Sequence, residues 1–474
     1  MTLKQQLIIL GNGFDLTCGL PTRYSDFFSN RYSKYHEVFS KILKLKMQKE
    51  LLDIEFVKKY FQGITIWDCI FIFNTIIDDA ELLSICSLED ESIEIEKQIG
   101  EKLNDIKWCD IEKIISDFFI VPVNSNSECL YYTQVWDHLI TNIEVTYYEE
   151  NINKIDFNGI LAYIFSLLKN NSVEVIEKCG TNLDPTAVIN IKNLENEIKQ
   201  SSFDKFLLNE LKRFERDFHE YLCEIFYSDS LVRRKYFNKA IRILLNISNY
   251  NKKISILNFN YTNPMDSKLN REYLEDDLIN FSILEKNIIC ITNVHGYLSE
   301  LVKHEVSERI FGIDESVFFN NELQNICYSE VGKNFTKTSR KIHANNNYYT
   351  PESYSGRYQG NLLSKNIHEI IFFGHSLSEA DYSYFMSIFD FLDIYNSEVS
   401  LIFYYYDHEK EIDKVKNITT ENVKNLIRKY AITLENMHSE NLLHKLLLEN
   451  RLKILEYTKE KLEIYENEYE IKII

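Results

Sequence analysis

Proline and glycine are scarce, 5 and 13 among 474 residues, where ordinary shares are about 5% and 7%. With so little turn-forming material, long helices should dominate, and the few glycines kept are informative. Cysteines are scattered: the nearest two of nine, Cys69 and Cys86, stand 17 apart. Without a C-x-x-C pair the zinc-ribbon and thioredoxin readings lose their ligand spacing, and no metal site is expected. An odd, dispersed set of this kind reads as reduced thiols, many of them buried, in a cytoplasmic protein. No apolar run approaches the roughly 18 residues of a spanning helix, and Leu7-Ile8-Ile9-Leu10 is too short for a signal-peptide core; no membrane partner is expected. Positive charge is also lacking: 53 Lys and Arg face 72 Asp and Glu, a net charge of −19. That balance disfavours generic duplex nucleic acid and anionic membrane surfaces as partners.

What is present is an ordinary globular mixture, 45% hydrophobic and 26% charged, in a chain long enough for two or three domains. Gly11, Gly13, Gly296, Gly312 and Gly374 follow short apolar runs: Leu7 to Leu10, Ile289 to Val294, Ile310-Phe311 and Ile370 to Phe373. Another run, Ser255 to Phe259, ends in Asn260. Short, non-alternating apolar runs between helical stretches are the mark of parallel strands covered on both faces. Further strands are expected at Val399 to Tyr406 and at Ala431 to Leu434.

The expected fold is therefore α/β, a Rossmann-like parallel sheet of about six strands. It occupies residues 1–20 and 251–437, with an all-helical insertion at 21–250 after the first strand and a helical tail at 438–474. Helical periodicity marks Ser25 to Phe61, Ile66 to Asp79, Ile111 to Phe119, Tyr131 to Tyr148, Phe157 to Leu168, Phe203 to Phe226 and Val232 to Ile247. Such a length exceeds any simple crossover between parallel strands. The tail is charged and able to pack on itself or on a second copy, so a homo-oligomer is expected.

Ligands of such sheets bind beyond the carboxyl ends of the strands. Gly11-Asn12-Gly13-Phe14-Asp15 sits at one such end, where glycine amides can face a phosphate; it lacks the third glycine of the usual dinucleotide fingerprint. Asp15 suits either a ribose hydroxyl or a helix cap. Asn260 suits a ribose hydroxyl or a carboxamide, and equally a turn before Pro264. His295, in Asn293-Val294-His295-Gly296, has the right chemistry to take a proton near neutrality. In Gly374-His375-Ser376-Leu377-Ser378-Glu379-Ala380-Asp381, Gly374 and Ser376 are free to meet a ligand. Ser378 with Asp381 resembles a loose capping box.

Together with Gly19-Leu20-Pro21-Thr22 and Trp108-Cys109-Asp110-Ile111-Glu112, these motifs resemble the bacterial abortive-infection family AbiH over most of the chain. They are also similar to those of sirtuin-like NAD-hydrolysing defence proteins. The resemblance implies a cytoplasmic antiviral effector, conferring bacteriophage resistance in answer to a phage-encoded trigger, with a pocket for NAD or a related nucleotide. NAD would be substrate or ligand, with no prosthetic group. Hydrolysis of its nicotinamide–ribose bond would use His295 as base and Asn260 to orient ribose and water. Gly11, Asn12 and Gly13 would hold the pyrophosphate through backbone N–H groups, with Phe14 and Asp15 in the same loop. Gly374, Ser376 and Asp381 would serve the adenosine side. Asn260 here follows Asn-Phe and precedes Tyr-Thr, not the Thr-Thr and Tyr-Asp of the sirtuin-like pattern, and the four-cysteine zinc site of deacylases is missing. Two other readings stand beside this one. One is a defence ribonuclease using Arg31 with His36, or Arg213 with His219, at the Arg-x4-6-His spacing. The other is a nucleotide-binding sensor without catalysis.

Overall fold

A computed structural model describes residues 4–31, 33–35, 63–77, 108–121, 131–135, 200–249, 251–266, 269, 278–296, 298, 311–314, 327–343, 361–407, 411–434 and 439–458. The chain divides into two compact units, one of Met1–Arg23, His219–Ile310 and Lys341–Ile474, the other of Tyr24–Phe218 and Phe311–Arg340.

The first unit holds the sheet. Its strands are β1 (Gln5–Leu10), β2 (Lys253–Asn258), β3 (Ile288–Asn293), β4 (Ile367–Phe373), β5 (Ser400–Tyr405) and β6 (Leu452–Glu456). Its helices are α1 (Asn12–Thr17), α2 (Ser230–Ile247), α3 (Leu278–Asn287), α4 (Tyr382–Leu392), α5 (Ile412–Thr433) and α6 (Leu442–Leu448). The spatial order is β3-β2-β1-β4-β5-β6, and every pairing is parallel. This is the doubly wound order, in which the winding reverses between β1 and β4.

Burial explains the pattern read from sequence. All six residues of β1 are buried, because it is central and both faces are covered. Leu7, Ile9, Ile370, Phe372, Leu401 and Phe403 point to one side and pack with Phe385, Phe389, Leu426, Ile427 and Leu446 of α4, α5 and α6. Ile8, Leu10, Ile256 and Phe373 alternate with them and are equally buried, as are Phe237, Ala240, Ile241 and Leu244 of α2. Strand register then aligns the carboxyl ends in a row: Asn293 beside Asn258, Asn258 beside Leu10, Leu10 beside Phe373.

The sheet differs from expectation in three places. Residues 431–433 close α5 instead of forming a strand. The sixth strand is β6, inside the tail read as wholly helical. As an edge strand with exposed Lys453, Leu455 and Glu456, it has no continuous apolar run to mark it in the sequence. Ile310 lies outside the described residues, and Phe311 falls in none of the described strands; nearby Ile313 makes an isolated bridge to Thr336, in the second unit. α2, which sequence assigned to the insertion, belongs to the sheet-bearing unit.

The second unit is helical, with residues 24–31 and 33–35, Ile66–Ile77, Trp108–Phe118, the amino-terminal part of Gln200–Tyr227, and a two-stranded pairing of Ile120–Val121 with Cys327–Tyr328. The periodic stretch Phe157 to Leu168, and the greater parts of Ser25 to Phe61 and Tyr131 to Tyr148, lie outside the described residues. Aromatics fill its core. Tyr24 stacks on Phe218 at 4.8 Å, Phe119 meets Phe335 at 4.5 Å, and Trp67 lies edge-on to Phe118 at 5.5 Å. These rings are packing groups, not a base-stacking surface. Charges buried among them are paired: Arg31 grips Asp68 with two nitrogens at 2.5 and 2.6 Å and Asp217 at 2.9 Å. Arg340 holds Glu215 at 2.5 and 2.8 Å, and Lys337 holds Glu112 at 2.6 Å. Among the described residues no helix is long and apolar enough to cross a membrane.

Removing one partner of a buried ion pair strands the other. Arg31→Met leaves Asp68 and Asp217 without their cation and should cost about 3–5 kcal/mol, read as a lower guanidinium midpoint of the helical unit.

Candidate functional site

Loops leaving four aligned strand ends of the first unit carry the residues singled out in the sequence. The turns after β1 and β4 interlock. Gly11 N–H donates to Phe373 O at 3.0 Å, Gly13 N–H to Gly374 O at 2.8 Å, and Phe14 N–H to Gly11 O at 2.8 Å. Gly374 has a φ of 67°, and a Cβ there would stand 2.3 Å from Phe14 N, as one on Gly13 would stand 2.8 Å from Gly374 Cα. Close backbone approach is what these glycines provide.

That corrects the phosphate cradle. The amides of Gly11 and Gly13 are engaged by the β4 turn. The Asn12 side chain is tied to Thr22, accepting from its hydroxyl at 2.6 Å and donating to its carbonyl at 3.3 Å. Phe14 is a core residue, its ring edge-on to Phe373 at 5.9 Å.

Asp15 lies inside α1, 1% exposed, and does not cap it. Thr262 Oγ1 sits 2.7 and 2.8 Å from its two oxygens. Tyr236 Oη of α2 is 3.1 Å from one of them and 2.7 Å from Thr262 Oγ1. Burial dominates the electrostatics: despite these bonds it raises the Asp15 carboxyl from 3.8 to about 7.

The loops after β2 and β3 are joined through Asn258, which is fully buried. Its Nδ2 donates to Thr262 O at 2.6 Å and to Asn293 Oδ1 at 2.8 Å, and its Oδ1 accepts from Asn260 N–H at 3.1 Å. Backbone bonds run alongside: Val294 N–H to Asn258 O at 2.8 Å and Leu298 N–H to Tyr261 O at 2.6 Å. Asn260 and His295 are thereby held on adjoining loops. The His295 ring packs against both neighbours of Asn260, with centroids 5.9 Å from Phe259 and 5.9 Å from Tyr261. His295 is 3% exposed and Asn260 is 2% exposed.

The Asn260 amide differs from that of Asn258. Neither Nδ2 nor Oδ1 reaches a hydrogen-bond partner among the described residues. An amide buried without any partner costs about 1–3 kcal/mol, which marks this one as a candidate contact for a ligand or a water.

The β4 loop adds a second imidazole. His375 Nδ1 accepts from Leu377 N–H at 2.9 Å, which places the ring proton on Nε2, 3.5 Å from Asp381 Oδ2. Its ring lies edge-on to Phe259 at 4.7 Å, so that phenyl ring touches both histidines. Asp381, expected on the adenosine side, turns its carboxylate to His375. Neither Ser378 nor Asp381 makes a side-chain cap bond, so the capping box does not form. Ser376 is exposed, and its carbonyl accepts from Asn422 Nδ2 at 2.9 Å.

The family model for bacteriophage abortive infection AbiH matches residues 7–406. The chain belongs to the AbiH family. Membership implies a role in phage abortive infection, and the match runs from β1 through β5, taking in every loop described above. No curated protein and no solved structure matches the chain.

Asn258, Asn293, Thr262 and Tyr236 were not among the expected site residues of this AbiH chain. A polar side chain ending an apolar strand was the available signal for Asn258 and Asn293; Tyr236, one aromatic among many on a helix, offered none.

The folded state binds the Asp15 proton more tightly than the unfolded chain does, so this group's stabilising contribution declines as pH rises from about 4 to about 7 and levels off above. Asp15→Asn should therefore raise the thermal midpoint at pH 8 more than at pH 5, measured by scanning calorimetry. A second expectation is that Gly374→Ala, with a Cβ forced onto backbone atoms, lowers the midpoint far more than an alanine at exposed Ser376.

Proposed function

We propose that this AbiH-family protein is an abortive-infection effector that binds NAD beyond the carboxyl ends of β1, β2 and β3 and hydrolyses its nicotinamide–ribose bond. One observation carries the reading: a buried Asn260 amide, without a partner among the described residues, beside the loop of His295, one strand from the winding reversal where doubly wound sheets take nucleotides.

The chemistry follows from the leaving group. Cleavage of the C1′–N bond passes through an oxocarbenium-like transition state. The bond's electron pair goes to the pyridinium ring, which departs as neutral nicotinamide and needs no acid. Water adds to C1′ and its proton passes to the His295 imidazole, giving ADP-ribose. The Asn260 amide, donor and acceptor at once, orients a ribose hydroxyl and the incoming water. The exposed Ser376 serves the adenosine side.

Geometry does not favour the ribonuclease reading. Arg31 is buried in its pair of carboxylates, and His36 lies outside the described residues. Arg213 pairs with Glu210 at 3.3 Å, and His219 contacts Cys223 Sγ at 3.4 Å on its own helix.

Purified protein should release nicotinamide from NAD and leave total RNA intact, and His295→Ala should slow that release by about 10²–10⁴-fold. NAD consumption undiminished in His295→Ala would refute the mechanism. Loss of RNA instead would favour the nuclease, and bound nucleotide without turnover would favour the sensor.

A further inference from the structure

Asn293 ends β3 and is 2% exposed. Its Oδ1 accepts from Asn258 Nδ2 at 2.8 Å, while its Nδ2 meets no hydrogen-bond partner among the described residues. Which end is which is settled by backbone groups. Asn260 N–H can only donate, so the Asn258 atom facing it is oxygen. Thr262 O can only accept, so the other is nitrogen. That nitrogen donates to Asn293, which must answer with its oxygen. The unanswered atom of Asn293 is therefore a donor.

Asn293 and Asn260 are both anchored on the one Asn258 amide, Asn293 through its side chain and Asn260 through its backbone. The three amide atoms left without a partner among the described residues, two donors and one acceptor, match in number the needs of a vicinal diol: each hydroxyl oxygen accepts, and one hydroxyl proton is donated in return. Charge plays no part, which suits a sugar better than a phosphate.

We propose that Asn293 is a second ligand-binding residue of this site, its Nδ2 donating to a ribose hydroxyl of the bound nucleotide, with Asn258 as the positioning residue that aims it. This rests on the nucleotide reading above. Asn293→Asp, assayed near pH 9 so that its carboxyl is ionised, is the discriminating change: the carboxylate still accepts from Asn258 Nδ2 and the donor is lost, with a buried charge added.

The test is titration of ADP-ribose into wild type and Asn293→Asp, alongside thermal midpoints without ligand. Expected is binding by the wild type, weakened at least tenfold in Asn293→Asp, whose ligand-free midpoint falls with the buried charge but stays above the titration temperature. Equal affinity in the two proteins would overturn the role of Asn293 while leaving the nucleotide reading standing. No binding by the wild type would overturn both. Should Asn293→Asp fail to fold, a wild-type crystal soaked in ADP-ribose decides: a ribose hydroxyl within about 3.2 Å of Asn293 Nδ2 is expected, and a ribose lying elsewhere refutes the assignment.

Discussion

A single buried amide governs the arrangement of this edge. Asn258 ends a strand whose last residue lies beside Leu10 on one flank and Asn293 on the other. Its side chain binds the following turn, the neighbouring strand end and the backbone of Asn260 at once. Each bond replaces one that water would otherwise supply, so the net gain is modest. Losing any of them would leave a buried polar group unanswered, which is the larger effect. The loop after β2 therefore has few alternatives, and Thr262 is delivered to Asp15 by the same turn. Tyr236, Thr262 and Asp15 then join helix α2, the β2 loop and α1 through side chains. Polar groups so connected specify geometry more than they add stability.

Much of this was legible in the sequence because the signals were local. Leu7 to Leu10, Ser255 to Phe259 and Ile370 to Phe373 are short apolar runs that only a doubly covered strand explains, and all three are strands. Glycines follow the first and third of these runs, at the strand ends where they were expected, and their backbones pack against each other. Gly13 and Gly374 let two turns touch, a long-range fact that no window of sequence contains. The last strand was invisible for the opposite reason, since an edge strand buried on few sides carries no apolar run.

The candidate site was legible as a list of loops but not as a network. Asn260 and His295 were marked by position and by the chemistry of their side chains, and they lie on adjoining loops. What the sequence could not show is which polar atoms are answered. Asn258 and Asn260 look alike in the motif, yet one amide is engaged at both ends and the other meets no partner among the described residues. Asp381 looked like a cap and instead faces His375. Membership of the AbiH family fits a protein whose matched segment ends at β5, so the loops that form the edge fall within it, while β6 lies beyond.

If the Asn258 amide organises a nucleotide site, disturbing it must abolish binding. Asn258→Asp sets a carboxylate oxygen against Thr262 O and Asn293 Oδ1, both acceptors, and should release the two loops. Calorimetric titration of NAD into an inactive His295→Ala background, with and without Asn258→Asp, measures this directly. Binding that is present in the single variant and lost in the double variant is the predicted result; equal affinity in both, or none in either, would contradict it.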